Sequence, residues 1–311
     1  MIEICFITDS TYVLTTMVAI KSLILNNKKE KFCINVICYK LNDSECRQIL
    51  KLKTTKNVDI NIIDASNKEV DIGNKHFYVS KCALLKFYMP QLFKDKDKIL
   101  YLDGDILVKT QIKDLYDTNL DNVYAAAVKD IYASNIDYVK KQGIENYFNS
   151  GVMLLNLKKM REDNISEKLF ECKRNETDGI FVDQNCFNLV FGKNVRYLSL
   201  KYNCIPYAFS QYSDNEIANF YKISKEELQD IKNHIAIIHL ANFYKPWKYT
   251  HADCFKEFAL YLFKLPNCEL KKSTIDYLFG DNWSMRFKYY LRQYSILSSL
   301  IDVYEKHKLS I

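Results

Sequence analysis

Two aspartates, Asp103 and Asp105, are separated by one glycine and follow the apolar run 98–102, which is typical of a buried strand. Two carboxylates at a strand end can face one divalent cation, and oxygen ligands suit Mg²⁺ or Mn²⁺. Such ions usually keep coordination positions open for substrate phosphates. Taken alone, however, an Asp-x-Asp pair is more typical of a solvated turn after an edge strand.

A second polar group follows the last clear strand of the chain, predicted at 235–240. His239 stands near its end, and Lys245 follows it in the sequence HLANFYKPW. An imidazole nitrogen is a good third ligand for a Mn²⁺-type ion, and the compact charge of Lys245 suits a diphosphate. For His239 taken alone, a core histidine bonded to a backbone carbonyl is the favoured alternative.

The elements that must position these residues follow an alternating pattern of strands and helices. Short apolar runs predict strands, and apolar residues at helical spacing predict helices. Strands are predicted at 2–8, 33–39, 58–63, 98–102, 106–108, 123–128, 151–157 and 235–240, and helices at 16–25, 42–52, 80–93 and 184–190. Residues 42–45 are predicted to cap the second helix, and Pro90 is expected to kink or shorten the third. Since ligands of open α/β sheets bind beyond the carboxyl ends of strands, Asp103 and Asp105 lie where a binding site is expected.

Composition and charge exclude several classes of protein. Hydrophobic residues at 48% and charged residues at 26% are typical of a globular chain, and a net charge of +6 without long basic runs argues against nucleic-acid binding. The ten cysteines contain no Cys-x-x-Cys pair, so they indicate reduced core thiols. The seven glycines contain no G-x-G-x-x-G, which argues against a nicotinamide oxidoreductase. Neither a signal peptide nor a membrane span is predicted, so we expect a cytoplasmic protein.

Five blocks of sequence, in order and with similar gaps, resemble glycosyltransferase family 8, which includes bacterial lipopolysaccharide galactosyl- and glucosyltransferases and, more distantly, glycogenin. The blocks are ICFITD at 4–9 with Tyr12; Lys86; LYLDGDILV at 100–108; YFNSGVMLLNL at 147–157; and Asp183-Gln184 followed by HLANFYKPW at 239–247. The resemblance implies an α/β fold: a single Rossmann-like nucleotide-sugar-binding domain at 1–265, with a mixed central sheet of the GT-A type. A small helical C-terminal region at 266–311 would follow it.

The resemblance also implies a donor and a cofactor. Asp103, Asp105 and His239 would hold Mn²⁺ or Mg²⁺, which bridges the diphosphate of a UDP-sugar and neutralises charge on the leaving group. The implied nucleotide contacts are Ile7, Thr8, Asp9, Tyr12, Lys86, Asp103, Gly104, Asn242 and Lys245. Many relatives carry Arg at the position of Lys86, whose ammonium cannot reproduce a bidentate contact. Relatives commonly carry Gly at the position of Asn242, so both departures put donor contacts in question.

Around the transferred sugar, the resemblance implies Asp130, Asn149, Asp183 and Gln184, and it implies retention of anomeric configuration. Retention usually indicates a carboxylate nucleophile, but the residue expected beneath the reacting face, Gln184, carries an amide, which is a poor nucleophile. We therefore favour a front-face route in which the departing UDP oxygen takes the proton of the acceptor.

The expected function is metal-dependent transfer of a hexose from UDP-glucose or UDP-galactose to a glycan, glycolipid or glycoprotein acceptor. Two alternatives stay open at this point: a UDP-sugar hydrolase, and a nucleotide-sugar-binding module without catalysis. The C-terminal region mixes aromatic with basic residues, which is typical either of peripheral contact with the inner face of the cell membrane or of packing on the main domain.

Overall fold

The structure, a computed structural model, describes residues 1–68, 81–175, 181–241 and 244–280. Its strands are β1 (Ile2–Asp9), β2 (Phe32–Tyr39), β3 (Val58–Asp64), β4 (Lys98–Leu102), β5 (Ile106–Val108), β6 (Ala125–Lys129), β7 (Phe148–Asn156), β8 (Val195–Tyr197) and β9 (Ile237–His239). Its α-helices are α1 (Val13–Asn26), α2 (Asp43–Leu50), α3 (Met89–Leu92), α4 (Lys113–Tyr116), α5 (Ile131–Ser134), α6 (Asp137–Lys141), α7 (Leu157–Glu162), α8 (Ile165–Asn175), α9 (Gln184–Phe191), α10 (Pro206–Gln211), α11 (Asp214–Tyr221), α12 (Lys225–Asn233), α13 (Phe255–Phe263) and α14 (Glu269–Phe279). Two 3-10 helices lie at Lys81–Tyr88 and Leu200–Tyr202.

Seven strands form one mixed sheet in the order β3-β2-β1-β4-β7-β6-β8, which confirms the predicted mixed central sheet. Strands β1 to β4 are parallel, whereas β7 runs antiparallel to both β4 and β6. Strands β5 and β9 form a separate antiparallel pair in which Ile106 faces His239. Because β5 follows β4 through Asp103 and Asp105, this small sheet brings both carboxylates beside His239.

The central strands of the main sheet are buried on both faces, as the near-continuous apolar sequence of β1 requires. Alternate residues of β1 contribute to two different apolar clusters. Ile4 and Phe6 belong to the cluster that includes α1, and Cys5 and Ile7 to the one that includes α9. Because successive side chains of a strand point to opposite faces, β1 contributes to the apolar core on each face of the sheet, and helices cover both faces.

The helix predicted at 80–93 is not one continuous α-helix, which agrees with the expected effect of Pro90. Its described part is the 3-10 helix at 81–88 followed by the short helix α3, where Pro90 occupies the first turn. Proline has no N–H to donate to the carbonyl of Lys86, so one continuous α-helix is interrupted there. The predicted cap of α2 is confirmed, because Asn42 and Glu45 form a reciprocal capping box.

The C-terminal part of the described chain packs on the helix before it. Phe279, at the end of α14, lies with its ring 5.8 Å from Phe255 and 5.7 Å from Phe263 of α13. Within the described residues, no helix has the length and apolar character needed to cross a membrane. Residues 281–311 of the predicted helical region lie outside the described residues.

Candidate active site

A cavity of about 510 Å³ opens where β1 and β4 end. Every predicted site residue within the described part of the chain lines it, while Asn242 lies outside the described residues. The predicted residues that line it are Ile7, Thr8, Asp9, Tyr12, Lys86, Asp103, Gly104, Asp105, Asp130, Asn149, Asp183, Gln184, His239 and Lys245. The ends of strands from both sheets and the starts of neighbouring helices therefore converge on one cavity, as expected for an open α/β fold.

Three side chains at this cavity form a cluster that fits a divalent cation. Asp103, Asp105 and His239 each offer one ligand atom, and these atoms all lie within 4.8 Å of one another. Nε2 of His239 lies 3.3 Å from Oδ1 of Asp105 and 3.7 Å from Oδ2 of Asp103. Two carboxylate oxygens and one imidazole nitrogen suit Mn²⁺ or Mg²⁺ and leave positions for phosphate oxygens.

Lys245 balances the charge of Asp105. Its Nζ donates to Oδ2 of Asp105 at 2.9 Å and to the carbonyl oxygen of Leu240 at 2.8 Å. Burial acts to raise the pKa of Asp105, but the ammonium of Lys245 outweighs burial and holds this pKa well below its usual range. Burial also acts to lower the pKa of Lys245, and the Asp105 carboxylate outweighs it and raises that pKa. Asp105 is therefore anionic at neutral pH.

Lys86 links the carboxylate cluster to the opposite side of the cavity. Its side chain is 3% exposed, and Nζ lies 2.7 Å from Oδ2 of Asp183 and 3.2 Å from Oδ1 of Asp103. The ammonium also lies 4.6 Å from the ring centre of Tyr101. Burial acts to lower the pKa of Lys86, but Asp103 and Asp183 outweigh it and raise this pKa. One buried cation thus compensates two carboxylates.

The turn after β1 places an aromatic ring at the cavity. Oδ1 of Asp9 accepts hydrogen bonds from the backbone N–H groups of Thr11 at 3.0 Å and Tyr12 at 3.2 Å. The turn fixes the start of α1, and the ring of Tyr12 lies 5.8 Å from that of Trp247 at 71°. Tyr12 is 36% exposed, so its ring remains accessible to a planar ligand.

Buried polar groups line the far side of the cavity. Asp130 caps α5 through Oδ1, which accepts from the N–H of Ala133 at 2.9 Å. Its Oδ2 accepts from Nδ2 of Asn149 at 3.0 Å and from Nε2 of Gln184 at 3.2 Å. Oε1 of Gln184 accepts from the N–H of Ser150 at 3.1 Å. These bonds hold side chains from β7 and from the start of α9 in fixed orientations.

Comparison with known proteins identifies the family. Residues 3–251 match the model of Glycosyl transferase family 8. The chain belongs to this family. It is 28% identical over 265 residues to a lipopolysaccharide 1,2-glucosyltransferase of Escherichia coli, and the aligned region covers 80% of this chain and 75% of that protein. A protein of the same name from Escherichia coli strain K12 is 25% identical over 312 residues, which covers 96% of this chain and 88% of that protein.

Solved structures share the fold of this family 8 protein. The galactosyltransferase LgtC, in complex with donor and acceptor sugar analogs, superposes with a TM-score of 0.69 at 22% identity over 88% of this chain and 100% of LgtC. The bifunctional glycosyltransferase WbbM gives a TM-score of 0.72 at 24% identity over 90% of this chain and 52% of WbbM. The predicted GT-A type of fold is confirmed by these similarities.

Asn203 is among the residues at this family 8 site that the sequence did not mark. Its Oδ1 lies 3.0 Å from Nδ1 of His239, and its Nδ2 lies 2.9 Å from Oδ1 of Asn149. Asn203 follows the 3-10 helix at 200–202, and no strand or helix period marks the position. The position of Asn203 depends on the next residue, because the N–H of Cys204 donates to the carbonyl of Ile237 at 2.9 Å. The local sequence carries no signal for this contact.

Proposed function

We propose that the protein is a retaining, metal-dependent glycosyltransferase that transfers glucose or galactose from the UDP-sugar to a glycan, glycolipid or glycoprotein acceptor. The observation that carries the proposal is the convergence of Asp103, Asp105 and His239 in one cavity of about 510 Å³, a volume typical of small-molecule sites. Relatives described as lipopolysaccharide 1,2-glucosyltransferases support a hexose donor and a cell-surface acceptor.

The proposed cofactor is Mn²⁺ or Mg²⁺, bound by Asp103, Asp105 and His239. When bound, such an ion supplies countercharge for a diphosphate and for the charge that develops on the leaving group. Lys245, already bonded to Asp105, adds a compact positive charge beside the same phosphates.

The uridine is proposed to lie at the end of β1, against Ile7, Thr8, Asp9 and the ring of Tyr12. An accessible aromatic face stacks on any planar base, and the turn built on Asp9 holds that ring at the cavity. Gly104 and Asn242 remain proposed nucleotide contacts, the second from outside the described residues.

The transferred hexose is proposed to lie among Asp130, Asn149, Asp183 and Gln184. The amide of Gln184 bonds at both ends, to the N–H of Ser150 and to Asp130, and an amide is a poor nucleophile. The carboxylate of Asp183 is neutralised by Lys86 at 2.7 Å, which reduces its nucleophilicity. Neither side chain is well suited to a covalent intermediate.

We therefore propose front-face transfer. The bond between the anomeric carbon and the UDP oxygen breaks, the bond to the acceptor oxygen forms on the same face, and the acceptor proton moves to the departing UDP oxygen. Mass spectrometry of the enzyme during turnover tests this step. An unmodified chain is expected, and a hexose attached to Asp183 or Gln184 would contradict front-face transfer.

The experiment that tests the function measures UDP release from UDP-glucose and UDP-galactose by the purified full chain, with Mn²⁺ or with chelator. Asp105→Asn is compared with the wild type, and Asp59→Asn is the matched control because its side chain is 58% exposed and bonds Lys53 outside the cavity. Metal-dependent release that is lost only in Asp105→Asn is expected. Release that is indifferent to metal and to Asp105 would contradict the proposal.

The same assay separates the two alternatives. A hydrolase releases UDP at a rate that is independent of added oligosaccharide or lipid-linked acceptor, whereas a transferase is accelerated by its acceptor. A binding module without catalysis binds UDP in the presence of Mn²⁺ but releases none from either donor. A bound UDP-sugar that stays intact with every acceptor would therefore favour the module.

For localisation, we propose a cytoplasmic protein with peripheral contact to the inner face of the cell membrane through 266–311. Mixed aromatic and basic residues suit an interface with anionic lipid, and Tyr277 on α14 is 67% exposed. We propose that α14 begins an extension that follows the catalytic domain at 1–265. The test truncates the chain after Gly280, which keeps α14 and its packing on α13. Weaker sedimentation with anionic liposomes is expected, because the truncation retains Tyr277, and unchanged sedimentation would contradict membrane contact through residues 281–311.

A further inference from the structure

Asn203 lies between the proposed metal cluster and the proposed sugar pocket, and its amide contacts both. Oδ1 lies 3.0 Å from Nδ1 of His239, and Nδ2 lies 2.9 Å from Oδ1 of Asn149. All three side chains are buried, with exposed fractions of 3% for Asn203, 3% for His239 and 7% for Asn149. In such surroundings each polar atom depends on protein partners, because little water reaches it.

The orientation of Asn149 follows from a backbone group. The N–H of Gly151 can only donate, and it points to Oδ1 of Asn149 at 2.9 Å. The other end of this amide, Nδ2, lies 3.0 Å from Oδ2 of Asp130, which accepts as a carboxylate. The oxygen of the Asn149 amide is therefore the atom that faces Asn203.

The orientation of Asn203 follows in turn. An amide that faces the oxygen of Asn149 must present its NH₂ group, so the oxygen of Asn203 faces His239. Since an amide oxygen only accepts, Nδ1 of His239 must carry a hydrogen. The other ring nitrogen, Nε2, is the one that faces Asp103 and Asp105 at 3.7 Å and 3.3 Å.

We propose that Asn203 is a positioning residue that fixes the ring orientation and the tautomer of His239, so that Nε2 presents its lone pair to a divalent cation. The inference rests on the proposed metal site and adds a residue to it. The chain of bonds continues from Asn203 through Asn149 to Asp130, so the metal cluster and the sugar pocket share one orienting network. Partners of this kind, behind a ligating histidine, hold the ring and raise its basicity as a ligand.

The other arrangements of this network leave buried groups unsatisfied. If Nδ1 of His239 carried no hydrogen, two acceptors would face each other at 3.0 Å. If the Asn203 amide were reversed, its oxygen would face the oxygen of Asn149, which the Gly151 N–H already fixes. Both faults would lie in a buried region, where an unmade hydrogen bond is costly.

The test titrates Mn²⁺ into the full chain at neutral pH with UDP present and follows unbound Mn²⁺ by its electron paramagnetic resonance signal. Asn203→Leu removes both bonds of the amide at similar volume, and loss of a partner behind a ligating histidine typically weakens metal affinity about 10- to 100-fold. Asn203→Asp keeps an acceptor for Nδ1–H of His239 but turns its second oxygen toward Oδ1 of Asn149, so it is expected to recover only part of that affinity. Asn233→Leu, exposed at the end of α12, is the matched control and should bind as the wild type does.

A second measurement needs no variant that disturbs the fold. Nitrogen NMR of the Mg²⁺- and UDP-loaded wild type, labelled at its five histidines, reports which ring nitrogen carries hydrogen, with His239→Gln for assignment. A hydrogen on Nδ1 and none on Nε2 is expected. Equal Mn²⁺ affinity in wild type and folded Asn203→Leu would overturn the role of Asn203 alone. The opposite tautomer would overturn both the role of Asn203 and ligation of the metal by Nε2 of His239. Absence of Mn²⁺ binding in the wild type would overturn the proposed metal site and this inference together.

Discussion

Gly151 lies so close to His239 that a methyl group on residue 151 would fall 2.2 Å from Cε1 of the imidazole ring. The same methyl group would fall 2.7 Å from Oδ2 of Asp103. The carbonyl of Gly151 also accepts from the N–H of Asp103 at 2.8 Å, so β7 and the loop after β4 are joined at this point. The missing side chain is therefore what allows the histidine and the carboxylate to meet.

Gly151→Ala is expected to weaken Mn²⁺ affinity and to lower metal-dependent UDP release, because the new methyl group displaces His239 from Asp103. The backbone of residue 151 does not adopt the left-handed conformation, so alanine should not strain it. Titration of Mn²⁺ in the presence of UDP checks this. Gly143→Ala is an instructive control: its φ of +68° makes alanine cost about 1 kcal/mol of stability without altering the site. Equal Mn²⁺ affinity in Gly151→Ala and wild type would contradict the expectation.

Lys86→Met is expected to destabilise the fold, because it leaves the carboxylates of Asp103 and Asp183 without their shared cation. Removing one partner of a buried ion pair costs about 3 kcal/mol or more in the free energy of unfolding. Urea unfolding measures this cost. Lys86→Arg retains the charge and should recover most of the stability, since a guanidinium can bond both carboxylates. A methionine variant as stable as the wild type would show that the pair contributes nothing.

Gly104→Ala and Thr16→Ala are expected to couple. A methyl group on residue 104 would fall 2.3 Å from Oγ1 of Thr16, whose hydroxyl donates to Oγ1 of Thr8 at 3.1 Å. The threonine hydroxyl therefore occupies the space that an alanine at 104 would need. In a double-mutant cycle by urea unfolding, the double variant should be more stable than the sum of the single effects, by about 1 kcal/mol. Additive effects would contradict this contact.

The buried thiols predict a loss of stability in alkali. Burial raises the pKa of Cys204 from 9.0 to about 12, and burial also raises the pKa of Cys5 and Cys38 well above its usual range. Because the folded state holds these protons more tightly than the unfolded state, their contribution is complete below the unfolded pKa and is lost as pH rises above it. The free energy of unfolding, measured with reductant, should fall as pH rises above about 9. Cys204→Ala should reduce this slope, and an unchanged slope would contradict the assignment.

The apolar runs of the sequence were sufficient to predict β1, β4 and the small strand β5, because a fully buried strand needs nearly every residue to be apolar. They also placed Asp103 and Asp105 at a strand end. The apolar spacing over 80–93 indicated a helix and Pro90 indicated its interruption, but neither indicated that its first part is a 3-10 helix.

The deeper parts of the site were beyond sequence reasoning. The space available to a side chain at position 151 depends on where the ring of His239 lies. Gly151 is in β7 and His239 is in β9, which belong to different sheets. Asn203 lies 36 positions from His239 and in no regular element. Contacts of this kind arise from packing between distant segments, so neither periodicity nor spacing carries a signal for them.

We propose that Asp103, Asp105 and His239 bind the divalent cation that holds the diphosphate of the donor. Anomalous X-ray diffraction from crystals soaked with Mn²⁺ and UDP tests it most directly. We predict one Mn²⁺ peak between these three side chains, in contact with the UDP phosphates. UDP bound in the cavity with no Mn²⁺ at this cluster, or Mn²⁺ bound elsewhere on the chain, would contradict the claim.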